Sequence, residues 1–195
     1  TAIGLSTLTY ALNATAVDYV IAADSTTQND GNTLTDGDSI TLNAGVTINA
    51  SDAIDDGDAS DLSLNIYGTV LGDDAIQLDT DDNTLTLFTG ASARNTGDDG
   101  IDIGGNGNTV TIQSRATVTG GDVGMLVDGN GNTVTIQSRA TVTGGDDGMV
   151  VGGDRNTITI QSGATMIGGD EGIGVSGDDN TLYVYGRVET TGTTN

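Results

Sequence analysis

Residues 108–131 read NTVTIQSRATVTGGDVGMLVDGNG. Nearly the same text returns at 132–155 as NTVTIQSRATVTGGDDGMVVGGDR and at 156–179 as NTITIQSGATMIGGDEGIGVSGDD. A partial copy, NTLYVYGRVETTG, begins at Asn180, so the spacing is 24 residues each time. One unit earlier, NTLTLFTGASARNTGDDGIDIGGNG starts at Asn83 and is 25 residues long, and weaker copies start near Asp61 and Asp38. A fixed period of this length marks a repeat architecture in which each unit buries its apolar face only against its neighbours.

Each unit holds three short alternating runs. In the copy at Asn108, Val110 and Ile112 alternate with Thr109, Thr111 and Gln113; Ala116 and Val118 alternate with Thr117 and Thr119; Met125 and Val127 flank Leu126. Side chains alternate faces along a strand, so each run has one buried face. Gln-Ser-Arg, Gly-Gly-Asp and Asp-Gly-Asn-Gly separate the runs as turns. Three short strands and three turns in about 24 residues describe one coil of an all-β, right-handed parallel β-helix, with coils stacked at about 4.8 Å. The spacing predicts that Val110, Ile112, Ala116, Val118, Met125 and Val127 point inward, together with their equivalents from Val134 to Val151. Leucine-rich repeats lack their Leu framework here, the nonapeptide β-roll needs its motif in tandem, and a propeller blade needs about 40 residues. A β-sandwich needs different sequences for centre and edge strands, which near-identical units do not supply.

Composition agrees. Of 195 residues, 32 are Thr, 31 Gly and 26 Asp, a mixture that favours strands and turns over helices. Five Arg against 28 acids leave a net charge of −23, with no Lys, His, Cys, Pro or Trp. Cys and His metal sites, Ser-His or Cys-His nucleophiles and Schiff-base lysines are therefore excluded. The charge repels phosphates, so nucleic acid is not an expected partner. No apolar run approaches the ~18 residues of a membrane span.

Residues 1–37 fit the repeat poorly and are expected to form an irregular first coil or cap, with 38–195 as one continuous array. The opening stretch lacks the basic start of a signal peptide and contains Asp18. The chain opens at Thr1, as a processed mature protein or a trimmed fragment would.

Stacking converts repeated residues into columns. Asn83, Asn108, Asn132, Asn156 and Asn180 form one, expected to be structural, with side-chain amides bonded to one another as a ladder. Asp73, Asp98, Asp122, Asp146 and Asp170 form another, flanked by Asp74, Asp99, Asp147 and Glu171, with Val123 breaking the flanking row. Asp55, Asp56, Asp58 and Asp61 make a second acidic group, and Asp79, Asp81 and Asp82 a third. Carboxylates about 5 Å apart repel by roughly 0.8 kcal/mol per pair in water, and by about 3 at an effective dielectric of 20. Oxygen-only ligands suit Ca²⁺, so the first two groups are the candidate metal ligands, and solvated turns are the plainer alternative. Thr84 and Thr86, Thr109 and Thr111, Thr133 and Thr135, and Thr157 and Thr159 make a flat double file of the kind seen on ice-binding solenoids. Outward Thr is also ordinary in strands, and the file ends at Tyr183. A glycosidase needs two carboxylates, and Asp98, Asp99 and Asp102 offer them. Acids that recur in every coil, however, suit structure or multivalent binding better than one catalytic place. Arg94, Arg155 and Arg187 are the residues that depart from the pattern.

Units of the form Asn-Thr-Val…Ala-Thr-Val…Gly-Gly-Asp-x-Gly-Met resemble the β-helical repeats of bacterial autotransporter passengers and other large secreted adhesins. The resemblance covers about 60–186. The 195 residues carry neither a membrane barrel nor a haemagglutinin-type secretion motif, and no receptor-binding motif is carried over. It implies an extracellular or cell-surface bacterial protein. The first reading is a non-enzymatic structural or adhesive β-solenoid, self-associating end to end into fibres or forming part of a biofilm matrix. Its partners would be itself, a cell surface or a glycan matrix. A polysaccharide-active enzyme and a Ca²⁺-dependent glycan-binding module are the alternatives.

Overall fold

The computed structural model describes residues 16–26 and 34–192. Leu8, Tyr10 and Leu12, whose alternation belongs to the expected irregular first coil or cap, lie outside the described residues. Among the described residues all regular structure is β, arranged as three parallel sheets that form the three faces of a solenoid.

The first face stacks β1 (Asp18–Ile21), β2 (Ser39–Leu42), β5 (Ser63–Ile66), β8 (Thr84–Leu87), β11 (Thr109–Ile112), β14 (Thr133–Ile136), β17 (Thr157–Ile160) and β20 (Thr181–Val184). The second stacks β3 (Thr47–Asn49), β6 (Thr69–Gly72), β9 (Ser92–Asn95), β12 (Thr117–Thr119), β15 (Thr141–Thr143), β18 (Thr165–Gly168) and β21 (Arg187–Thr190). The third stacks β4 (Asp52–Asp55), β7 (Asp74–Leu78), β10 (Ile101–Ile103), β13 (Val123–Val127), β16 (Asp147–Val151) and β19 (Gly174–Val175). Every neighbouring pair is parallel and in register, so Val110 lies on Val134 and Val134 on Ile158. The parallel β-helix with three strands per coil is therefore the fold. Shorter coils early in the chain keep the same register, as where Ser63 pairs with Thr84.

The alternation sorts the side chains as expected. Val110, Ile112, Ala116, Val118, Met125 and Val127 are fully buried, and so are Val134, Ile136, Ala140, Val142, Met149 and Val151. The outward Thr residues of the first face are half-buried or exposed. On the third face a small residue precedes the inward Met or Ile and is itself buried, as at Ala75, Gly124 and Gly148. A Cβ on Gly124 would run into the carbonyl oxygen of Gly148 in the next coil, so the bend there is closed to larger residues.

The turn into the first face depends on the Asn column, by a different bond from the one expected. Asn83, Asn108, Asn132 and Asn156 are buried. The backbone N–H groups of Asn83, Asn108, Asn132 and Asn156 each donate to the Oδ1 of the Asn one coil on, at 2.7 Å. Meanwhile Nδ2 of Asn132 and of Asn156 donates back to the carbonyls of Gly105 and Gly129, at 3.0 Å. The amides thus bond to backbone rather than to one another. A Cβ on Gly129 would collide with that same Gly105 oxygen, which ties glycine at this position to the Asn three residues later. An amide-to-amide contact does occur two residues before the Asn column, where Asn130 Nδ2 donates to Asn106 Oδ1 at 3.0 Å. The residue before each column Asn is left-handed, whether Gly131 (φ 69°) or Arg155 (φ 57°). Asp61 (φ 59°) has this role in its coil, so Leu62 takes the Asn place and that repeat begins one residue later than its text suggests. Arg115 and Arg139 are also left-handed, at φ 66° and 68°, in a turn where Gly90 and Gly163 serve other coils.

Val134→Asp places an unpaired charge among wholly apolar columns and should cost several kcal/mol. Thr135→Asp, on the outer surface of the same strand, should change stability by less than about 1 kcal/mol. Thermal unfolding followed by circular dichroism distinguishes the two; equal tolerance contradicts the inward and outward assignment.

Candidate functional site: an acidic edge and a groove

The first acidic column is real. Asp122 N donates to Asp98 O (3.1 Å), Asp146 N to Asp122 O (2.9 Å) and Asp170 N to Asp146 O (2.6 Å), which stacks these residues at the corner leading into the third face. Asp73 bonds instead to Ser51 O, and Asp98 N to Asn95 Oδ1 in its own coil. The flanking row runs through β-pairing: Asp52 with Asp74, Val123 with Asp147, and Asp147 with Glu171. Asp147 Oδ1 accepts from Glu171 N at 3.0 Å. Asp98, Asp122, Asp146, Asp170 and Glu171 are exposed, whereas Asp99 is 7 % exposed.

Where the flanking row meets Val123, three carboxylates converge. Asp98, Asp99 and Asp122 each present an oxygen within 4.8 Å of the others. Asp99 Oδ1 accepts from Val123 N at 3.2 Å. Burial first, then the charges of Asp98, Asp74 and Asp122, push the Asp99 pKa up to about 6 against that bond. Asp102, on the outer surface of β10, is pushed up to about 7 by burial and by Asp99, Asp79, Asp74 and Asp128. A hydrogen bond with the Asp122 carboxyl, together with that group's charge, raises Asp146. Three convergent oxygens leave room for water in the six- to eight-oxygen shell of Ca²⁺, and a divalent cation would relieve the repulsion.

The second acidic group does not converge. Asp56 is fully buried and accepts from Asp79 N, Thr80 N, Thr80 Oγ1 and Asn83 Nδ2 at 2.7–3.0 Å. Burial raises its pKa despite these bonds. It occupies the inward position that Leu78 holds one coil on, and a carboxylate with four internal donors serves as a structural plug. Asp55 is half-buried and accepts from Gly57 N, and Asp58 and Asp61 are exposed. In the third group, Asp79 Oδ2 accepts from Gln77 Nε2, Asp81 Oδ1 accepts from Asn106, and Asp82 is an exposed left-handed turn residue.

Two features lie outside the three acidic groups. Asp102 stands in an outward column that runs Asp55, Gln77, Asp102, Leu126, Val150, so its signal is the acid at which polar residues give way to apolar ones. Across the second face runs an open groove of about 590 Å³ lined by Asn49, Ser51, Leu71, Asp73, Arg94 and Thr96, among others. It forms where the early coils depart from the Thr pattern and Arg94 lies in register with Leu71. Among the described residues its lining contains one carboxylate, Asp73, whereas glycoside cleavage uses two.

The arrangement defines a parallel β-solenoid with an acidic edge. No known protein family, curated protein or solved structure matches the chain.

Two outcomes follow from the carboxylates. Asp99 and Asp102 have folded-state pKa values above those of an unfolded chain, so their favourable contribution is complete below about pH 4 and is lost as pH rises through 6–7. For Asp38, burial works against the charge, but donors from Val17 N, Thr35 N and Thr35 Oγ1 outweigh it and hold the pKa below the ordinary value. Its contribution is present above about pH 4 and is lost in acid. The melting temperature should therefore rise from pH 8 to pH 5 and fall again below about pH 4. Asp102→Asn should stabilise the protein at pH 8 by about 1–2 kcal/mol, less than the full pKa difference implies because water reaches the carboxyl, and should flatten the profile above pH 5.

Chelation at low ionic strength should lower the melting temperature, and Ca²⁺ should restore it more effectively than NaCl at matched ionic strength. Asp99→Asn combined with Asp122→Asn should remove the difference between the two salts. Equal action of Ca²⁺ and NaCl on the unaltered protein reduces the effect to screening.

Proposed function

We propose that this chain is a non-enzymatic, extracellular structural or adhesive element: a β-solenoid rod that presents the same polar surface coil after coil. The observation that carries this reading is the register. Thr, Gln and Asp recur at equivalent outward positions through successive coils, which suits multivalent contact with a cell surface or glycan matrix and end-to-end association into fibres. The resemblance to autotransporter passengers and secreted adhesins supports a bacterial cell-surface setting. Ca²⁺ at Asp98, Asp99 and Asp122 would stiffen the acidic edge and lower its repulsion.

The groove favours a second reading, a glycan-binding module in which Arg94 and Asn49 meet sugar hydroxyl or carboxylate groups. Deletion of residues 132–155 removes one near-identical coil and rejoins equivalent residues, and so separates the readings. Adhesion of the purified protein to bacterial cells and polysaccharide-coated surfaces should survive the deletion and weaken moderately, as expected when equivalent contacts are lost from an array. Arg94→Ala should leave adhesion nearly unchanged; its abolition would favour the groove. Release of reducing sugar from polysaccharide by the purified protein would overturn the non-enzymatic reading.

A further inference from the structure

Among the described residues, the exposed large apolar side chains gather at the two ends of the solenoid. Val17 and Val20 lie at one end; Val175, Tyr183, Val184, Tyr185 and Val188 lie at the other; Tyr67 is the exception. At the C-terminal end the cause is the register. Leu182 and Val184 continue the inward columns of Ile158 and Ile160, and Val188 continues that of Met166. Those three predecessors are fully buried, whereas Val184 is 45 % exposed and Val188 39 %. Among the described residues, strands β19, β20 and β21 each pair on one side only, leaving a row of backbone donors and acceptors that a further strand can use.

The first described coil carries a matching set. Tyr19 and Ile21 head the inward columns that Leu182 and Val184 end. Val20 heads an outward column that ends at Tyr183, and every member between, from Thr41 to Thr159, is Thr or Asn. Asp24, whose Oδ1 accepts from Thr47 N at 2.8 Å, heads an outward column on the second face. That column runs through Thr and Ser and ends at Arg187. One file therefore has apolar side chains only at its first and last places, and the other has charged side chains only there.

We propose that a second copy of this chain docks head to tail on the C-terminal coil, in the register of the coils themselves. This deepens the structural reading above and rests on it. Tyr183 then lies beside Val20 of the second copy and Arg187 beside its Asp24, while Leu182 and Val184 are covered by Tyr19 and Ile21. The joint continues the parallel ladders of the first and second faces. A tail-to-tail contact fits worse, because it brings together Asp170, Glu171, Asp178, Asp179 and Glu189 from both copies against one Arg187 each. The head-to-tail contact does not close on itself, so it propagates.

The chain has no cysteine, so paired substitutions report the joint directly. In-register neighbours on adjacent strands fall within the Cα separation a disulfide accepts. The full chain carrying both Val20→Cys and Tyr183→Cys, oxidised mildly in moderate salt, should give dimers, trimers and longer species on a non-reducing gel. Each single variant should remain monomeric. Dimers from Tyr183→Cys alone, or no ladder from the double variant with its circular dichroism intact, would overturn the head-to-tail joint. As an independent measure, Arg187→Asp should reduce the assembled fraction in sedimentation at least tenfold, and Asp24→Arg in the same chain should restore it. An unchanged fraction overturns the register. Adhesion that persists when the joint fails confines the failure to the joint, and loss of both removes the structural reading as well.

Discussion

Every strand between the first and last described coils makes its ladder hydrogen bonds with the coil before it and the coil after it. A coil taken alone would have unpaired strand edges and an apolar floor open to water, so neither its backbone nor its core is satisfied until another coil lies on it. The rest of the architecture follows from that dependence. Because stacking is in register, the inward Val and Ile of the first face's middle coils meet other apolar side chains, and the outward Thr there meet Thr. The Asn turns extend the same logic beyond the strands: Asn132 and Asn156 each accept an amide proton from the preceding coil and donate to a carbonyl of that coil, and the adjoining glycines keep the carbonyl within reach.

The same stacking concentrates charge. An Asp acceptable at one solvated turn becomes a column when the turn repeats, and Asp122 and Asp146 come close enough to share a hydrogen bond. Arginines are too few to neutralise the edge, and Arg187 is engaged with Glu189 in its own strand. The fold tolerates the repulsion by raising carboxyl pKa values, most at Asp102 and Asp99, where burial adds to the neighbouring charges. Asp56 and Asp38 show a different outcome for the same residue type. Both are buried and supplied with internal donors, and both occupy places that repeat residues fill elsewhere, Leu78 in one case and the column Asn in the other.

How much was legible in the sequence follows from the periodicity. The 24-residue repeat and the two-residue alternation fixed the strand positions, the three faces and the inward residues from Val110 to Val151, because a side chain's face in a strand depends only on its place in the alternation. The acidic columns were legible for the same reason. Their chemistry was not: Asp98, Asp99 and Asp122 converge while Asp55, Asp56, Asp58 and Asp61 diverge, although both groups read as clustered acids along the chain.

The repeat by itself determined the fold and the list of residues that stack, since both depend on translation along one axis. The tertiary structure alone decided which groups are desolvated, which way each Asn amide points, and which residues of the first and last described coils close the same columns. These depend on the direction of each side chain at a turn and on what lies above it. A one-dimensional period carries neither, because identical letters at equivalent places have different surroundings wherever a coil is shorter, a neighbour is larger, or the stack ends.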